Sequence, residues 1–231
     1  MSSASQPKPL SKWGITGAIG TDFIVGGHAV TGNDTPGALN VHQVGMREAY
    51  KEGYRGEAGI TYALNGKQSL TINGFYQEAE GKSDVVFANA PGQIFTGQFG
   101  DYKAYGVDVG LRHNLAKARV PLFKSVQPYL EGRMGIARTS DIALNNVQIN
   151  GVAAIPPMTG MYEGRYIPTA SALVGLEKPI SRHMSIGVES GIRYMGKGDS
   201  DDASIGGNFA GMNNGSSRWS IPLQIRGRYR F

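Results

Sequence analysis

Apolar and polar residues alternate strictly in eight separate stretches of the chain. A period of two sustained this way predicts strands with one apolar and one polar face. The first runs from Lys12 to Val25, with Trp13, Ile15, Ile19, Phe23 and Val25 on one face and Lys12, Thr16 and Asp22 on the other. The second, Tyr54 to Leu64, sets Tyr54, Ala58, Ile60, Tyr62 and Leu64 against Arg55, Glu57, Gly59 and Thr61. Asn65-Gly66 follows, a pair favoured in a type I′ hairpin turn, so a third strand should return at once. It does, with Leu70, Ile72, Gly74 and Tyr76 opposite Thr71, Asn73, Phe75 and Gln77.

The fourth stretch, Tyr102 to His113, places Tyr105, Val107, Val109 and Leu111 against Ala104, Gly106, Asp108 and Arg112. The fifth, Val126 to Thr139, places Val126, Leu130, Met134 and Ile136 against Gln127, Glu131, Arg133 and Gly135. The sixth spans Arg165 to Glu177 and leads through a Lys178-Pro179-Ile180-Ser181 turn into the seventh, where Met184, Ile186, Val188, Ile192 and Tyr194 oppose Ser185, Gly187, Glu189, Gly191 and Arg193. The eighth ends the chain, with Trp219, Ile221, Leu223, Ile225, Tyr229 and Phe231 opposite Arg218, Ser220, Gln224, Arg226, Arg228 and Arg230.

Connections between these strands alternate between long (28–53, 81–101, 140–164, 196–216) and short (65–66, 114–125, 178–181). Long outer loops and short periplasmic turns are the habit of outer-membrane barrels, and an even strand number returns both termini to the periplasm. Alternation alone does not say which face meets solvent; the aromatic residues do. The apolar face carries Tyr54, Tyr76, Tyr105, Tyr166, Tyr194 and Trp219 toward the long loops, and Trp13, Tyr62, Tyr229 and Phe231 toward the short turns. Two girdles of amphipathic rings around an aliphatic band fit the two interfaces of a bilayer. The apolar face is therefore expected to point outward. Arg55, Glu57, Asp108, Arg112, Glu131, Arg133, Glu177, Glu189, Arg193, Arg226 and Arg228 would then share a narrow lumen, where mixed charges are stable only as a paired network. Small residues among them would make room for the long arginines.

Composition narrows the classes further. At 231 residues with 34 glycines, no cysteine and 18% charged residues, the chain suits one strand-rich unit. We expect an all-β, eight-stranded antiparallel up-and-down transmembrane barrel over 12–231, preceded by a periplasmic tail over 1–11. No stretch approaches the roughly 18 apolar residues of a membrane-spanning helix. Met1 to Leu10 lacks an apolar signal core, so any export signal is expected to have been removed. The net charge of +5 could suggest nucleic acid or anionic lipid, but its placement matters more than its sum, and no nucleic-acid partner is expected.

Glu48-Ala49-Tyr50-Lys51-Glu52-Gly53-Tyr54, Gly59-Ile60-Thr61-Tyr62 and the run Gln127 to Ala137 resemble the OmpA-like and opacity-type outer-membrane β-barrel family. In the last of these, Arg133-Met134 stands between glycines of a Pro-Tyr-x-x-x-Gly-x-Gly pattern. Tyr229-Arg230-Phe231 is similar to the signal read by the barrel-assembly machinery, with Arg226 where the usual glycine stands and Gly227 beside it. The resemblance implies a barrel of a Gram-negative outer membrane, a client of that machinery in contact with lipid and lipopolysaccharide. It specifies architecture better than activity.

Catalytic chemistry has little footing. His183-Met184-Ser185 has the spacing of a His-Ser pair, but both side chains are expected to face the lumen beside a turn, away from any lipid ester. His28, His42 and His113 share no ligand spacing, so neither a metal nor a cofactor is expected. Asp199, Asp201 and Asp202 read as a hydrated loop before they read as a calcium site. Lys103 and Arg138 share the lipid-facing parity near the outer rim, where lipopolysaccharide phosphates would lie. The long loops are unusually apolar, with Val85, Val86, Phe87, Ile94, Phe95 and Phe99 in one and Ile142, Leu144, Val147, Ile149, Val152, Ile155 and Met158 in another. They would either bind a protein partner or pack on each other as a cap. The expected function is a non-enzymatic outer-membrane barrel with a structural or surface-interaction role through its outer loops. The alternatives are a narrow anion-preferring channel and, behind it, a lipid-modifying enzyme.

Overall fold

The computed structural model describes residues 11–32, 39–116, 125–153, 158–200, 209 and 211–231. Along the described chain run β1 (Trp13–Gly26), β2 (His28–Val30), β3 (Asn40–Val41), β4 (Val44–Gly45), the short helix α1 (Met46–Ala49), β5 (Gly53–Ala63), β6 (Gln68–Ala79), β7 (Val85–Ala90), β8 (Gln93–Phe99) and β9 (Tyr102–Asn114). The second half adds β10 (Gln127–Thr139), β11 (Ile142–Ile149), β12 (Val152–Ala153), β13 (Met158–Glu163), β14 (Tyr166–Pro179), β15 (Met184–Met195), β16 (Asp199–Ser200) and β17 (Arg218–Arg230).

The eight long strands are the eight alternating stretches. They close into one barrel in the order β1-β17-β15-β14-β10-β9-β6-β5, every neighbouring pair antiparallel. Closure pairs the first strand with the last and leaves no open edge, so every strand's backbone groups face a neighbour. Seen along the register, Ile15 sits opposite Ile60, Ile60 opposite Ile72, Ile72 opposite Val109 and Val109 opposite Met134. That row crosses five adjacent strands and faces outward.

Two turns differ from expectation. Asn65-Gly66 is not a type I′ turn: neither residue has the positive φ that type requires. The strands end earlier, and Asn65 Oδ1 accepts the backbone N–H groups of Lys67 (2.8 Å) and Gln68 (2.9 Å). A side chain that satisfies two backbone donors lets a four-residue connection replace the two-residue one. Likewise β14 continues through Pro179, moving the following turn to 180–183, where Ser181 Oγ accepts the N–H groups of His183 and Met184.

The long connections carry their own structure. Strands β16-β13-β11-β8-β7-β3 form a second sheet, with β12 paired to β11, while β2 pairs with β4. Phe87, Phe95, Phe99, Leu144, Val147 and Met161 are buried beneath it, and Phe87 and Phe95 pack against Phe209 at 6.1 and 6.0 Å between ring centres. This core continues into the barrel mouth through Ile24, Ala79, Tyr102, Ala104, Ala137, Ile167 and Met195. The loops therefore form a packed cap, the second of the two arrangements that their apolar residues allowed. Val86, Ile94 and Val152 stay exposed at its surface. Ile155 lies outside the described residues.

Candidate functional site: a lipid-facing wall around a charged lumen

Strand pleating sends alternate residues to opposite sides of the wall. Outward go the aliphatic residues: Ile19 is 71% exposed, Met134 73%, Leu223 and Ile225 each 54%. A wall of this extent is far larger than the few-hundred-Å² apolar patch a soluble monomer tolerates. It becomes favourable when hydrocarbon replaces water. The aromatic residues bound it as expected. Trp13 packs on Tyr62 at 4.8 Å, and Tyr229 on Phe231 at 5.6 Å, at the end with the short turns. Tyr194 packs on Trp219 at 5.0 Å at the cap end, where Tyr54, Tyr76, Tyr105 and Tyr166 are also outward and exposed.

Inward go the charges, and Glu57 is their hub. Its Oε1 accepts from Arg55 Nε (2.7 Å) and Arg193 Nη2 (3.4 Å), and its Oε2 from Arg133 Nη1 (2.8 Å) and Arg226 Nη2 (2.5 Å). One carboxylate on β5 thus ties β10, β15 and β17 across the lumen. Glu189 is a second centre, accepting from Arg226 Nε (2.9 Å) and Nη2 (2.8 Å), from Arg133 Nη2 (3.4 Å) and from the Tyr129 hydroxyl (2.8 Å). Arg55 also reaches Asp108 at 2.8 Å, Arg133 reaches Glu131 at 2.7 Å, and Arg193 reaches Asp22. Nearer the short turns, Glu177 receives Arg112, lies 3.9 Å from Arg228, and accepts the Ser185 hydroxyl at 2.7 Å.

Space for these long side chains comes from glycine. A Cβ on Gly175 would lie 2.2 Å from the Tyr129 ring, and one on Gly110 would lie 2.9 Å from Arg133 Cγ. Tyr129 fills the first gap and lies 3.3 Å from the Arg112 guanidinium, a stacked cation–π contact. Arg55 lies over Phe75 in the same way at 3.5 Å.

The eleven lumenal charges expected from the sequence face the lumen, ten of them nearly fully buried and Glu177 partly buried. Asp22 and Tyr129 complete the network. Asp22 changes the electrostatics: with it, six arginines (55, 112, 133, 193, 226, 228) meet six carboxylates (22, 57, 108, 131, 177, 189) in the ion pairs. The positive surplus that favoured anions in this part of the lumen is cancelled. Tyr129 shares the parity of Gln127 and Glu131, so its place was readable from the alternation.

The histidine–serine pair does not form. His183 does not enter the lumen; it is exposed at the rim, with Nδ1 2.8 Å from the Arg230 carbonyl and its ring stacked 5.8 Å from Tyr229. The turn at 180–183 puts it beyond the last inward position, and Ser185 is engaged by Glu177. Among the described residues no group of histidine and acidic side chains is placed to hold a metal; Asp201 and Asp202 lie outside them. Lys103 and Arg138 both face outward at the cap end. Lys103 Nζ is 3.2 Å from Glu78 and 3.9 Å from Asp101, while the Arg138 guanidinium lies 5.6 Å from the Tyr166 ring centre.

A closed eight-stranded barrel, apolar outside and ionic inside, is a membrane-spanning barrel. Comparison with solved structures finds others of similar architecture. Neisserial surface protein A is 13% identical, with 97% of this chain and 100% of that chain covered at a TM-score of 0.49. The outer membrane protein OprG of Pseudomonas aeruginosa is 13% identical over 96% and 97% of the two chains (TM-score 0.47). Ail, the attachment invasion locus protein of Yersinia pestis, solved with the heparin analogue sucrose octasulfate, is 14% identical over 95% and 99% (TM-score 0.43). No family model matches, and no curated protein does. At these scores the assignment rests on this chain's own wall and lumen.

Proposed function

We propose that this chain is a non-enzymatic integral protein of a bacterial outer membrane, with a structural or surface-interaction role exercised through its cap. The observation that carries the reading is the joint presence of an exposed aliphatic belt between two aromatic girdles and a lumen filled by ion pairs. The first needs a bilayer. The second supplies rigidity in place of a passage. An anion-preferring channel would need the Glu57 and Glu189 clusters to part, and a lipid-modifying enzyme would need a polar constellation on the outer wall.

On this reading Tyr229 and Phe231 present the assembly signal at the periplasmic end. Lys103 and Arg138 stand at the level of lipopolysaccharide phosphates, with Arg138 the stronger contact because Lys103 is already met by Glu78. Val86, Ile94 and Val152 are what the cap leaves for a protein partner. Gel mobility tests the core of the proposal. The protein refolded in detergent should migrate faster unboiled than boiled, and planar-bilayer recordings should lack discrete conductance steps. A monodisperse folded protein in detergent-free buffer would overturn the membrane assignment, and stable unitary currents would replace the structural role with a channel. Lipopolysaccharide co-purification with Lys103 and Arg138 both changed to glutamine should fall; unchanged recovery would remove that contact.

A further inference from the structure

Six lumenal arginines have a carboxylate partner. Among the described residues Arg218, the first residue of β17, does not. Its residue is 2% exposed and it sits where the barrel mouth meets the cap. Its Nη2 touches Met195 Sδ at 2.9 Å, its guanidinium carbon lies 4.1 Å from the Tyr102 ring centre, and its Nε has no hydrogen-bond partner. Among the described residues it forms no ion pair. Several other lumenal arginines also leave one nitrogen unpaired, but each has a carboxylate on another. A sulfur atom and a ring face solvate a guanidinium poorly, and a buried cation demands an anionic counterpart.

Arg218 lines a small chamber of about 30 Å³ between barrel and cap, shared with Tyr50, Tyr102, Thr139, Ser140 and Ser216. A void of this size holds about two waters or one ion of similar bulk. Glu163 also borders it, but its side chain belongs to an exposed residue and does not pair with Arg218. Burial keeps the Tyr50 phenol above its ordinary range, so it adds no competing negative charge. Gly196, Gly198 and Gly215 form part of the wall and bring backbone close to the space.

We propose that this chamber binds a small monovalent inorganic anion of halide size, with Arg218 as its charged ligand. The anion completes the charge balance that Glu57 and Glu189 provide deeper in the lumen. Because residues of the barrel and of the cap both line the chamber, its occupancy couples cap closure to the barrel mouth.

Chloride-35 nuclear magnetic resonance on the full chain refolded in detergent provides the test, with ionic strength held constant by sodium gluconate. Chloride should broaden saturably, and bromide should compete. Arg218→Met should lose most of that broadening, Arg218→Lys should retain part of it, and Arg47→Met, a change at an exposed arginine, should behave as the parent does. Heat-modifiable mobility of each variant confirms that its barrel has formed. As a second readout, chloride should slow proteolysis of the cap in the parent and leave Arg218→Met unaffected. Equal broadening in the parent and Arg218→Met would overturn the proposal, as would cap proteolysis in the parent that ignores chloride; either result would mean that the charge is met within the chain.

Discussion

The barrel and the cap are built from strands of one chain, yet they are inside-out relative to each other. In the barrel Ile225 faces outward at 54% exposure while Arg226 beside it is 3% exposed; in the cap Leu144 and Phe87 are fully buried. The difference is the solvent. Hydrocarbon around the barrel removes any gain from hiding apolar side chains, so the interior must be held by hydrogen bonds and charge. Water around the cap restores the ordinary hydrophobic drive. At the junction, where Tyr102 and Arg218 meet, both regimes act on the same residues.

The two regions should therefore fail in different ways. Glu57→Gln should be the most damaging single change, because it leaves four arginines around a neutral amide; breaking a buried pair costs about 3–5 kcal/mol. Urea unfolding in lipid vesicles should show that loss as whole-barrel destabilisation. If Glu57→Gln unfolds as the parent does, the lumen is not held by its ion pairs. Leu144→Ala should cost about 2–5 kcal/mol, but locally. Cap proteolysis should accelerate while the heat-modifiable mobility of the barrel persists, and simultaneous loss of both would mean that the cap and barrel fold as one unit.

Smaller effects sharpen the contrast. Ile225 sits opposite Ile19 on one side and Val188 on the other, at mid-wall, so Ile225→Arg should cost about 2–4 kcal/mol. That penalty should shrink in short-chain detergent and would vanish if the wall faced water. Smallest of all, a double-mutant cycle on Tyr194 and Trp219, 5.0 Å apart at the cap-end girdle, should return a coupling of about 0.5–1.5 kcal/mol.

The barrel was almost wholly legible in the sequence because a period of two is a local signal that each strand repeats. Ile186, Val188 and Ile192 announce an outward face without knowledge of their neighbours. The turn at Asn65 was not, since Asn-Gly supports more than one connection and the choice depends on where the asparagine side chain bonds. Cap strands were missed for a related reason. Phe87 and Leu144 come from different loops, their spacing follows no simple period, and their burial exists only once β7, β8 and β11 lie side by side. Within the lumen the set of charges could be read by parity, but the partners could not. Nothing in the sequence separates Glu57, which meets four arginines, from Glu131, which meets one. Asp22 was placed on the polar face, yet its pairing with Arg193 passes over the intervening β17 and needed the closed structure to appear.

The chain has two tryptophans, one at each end of the outer wall: Trp13 beside the short turns and Trp219 beneath the cap, both outward-facing. Their depth in a bilayer tests most directly which solvent surrounds the wall. Single-tryptophan variants, Trp13→Phe and Trp219→Phe, should be refolded into vesicles whose acyl chains carry bromine at graded depths. Each remaining tryptophan should be quenched most strongly by the shallowest bromines and least by those at the bilayer centre, as two girdles at opposite interfaces require. A folded protein whose tryptophans escape quenching at every depth would contradict a lipid-facing wall.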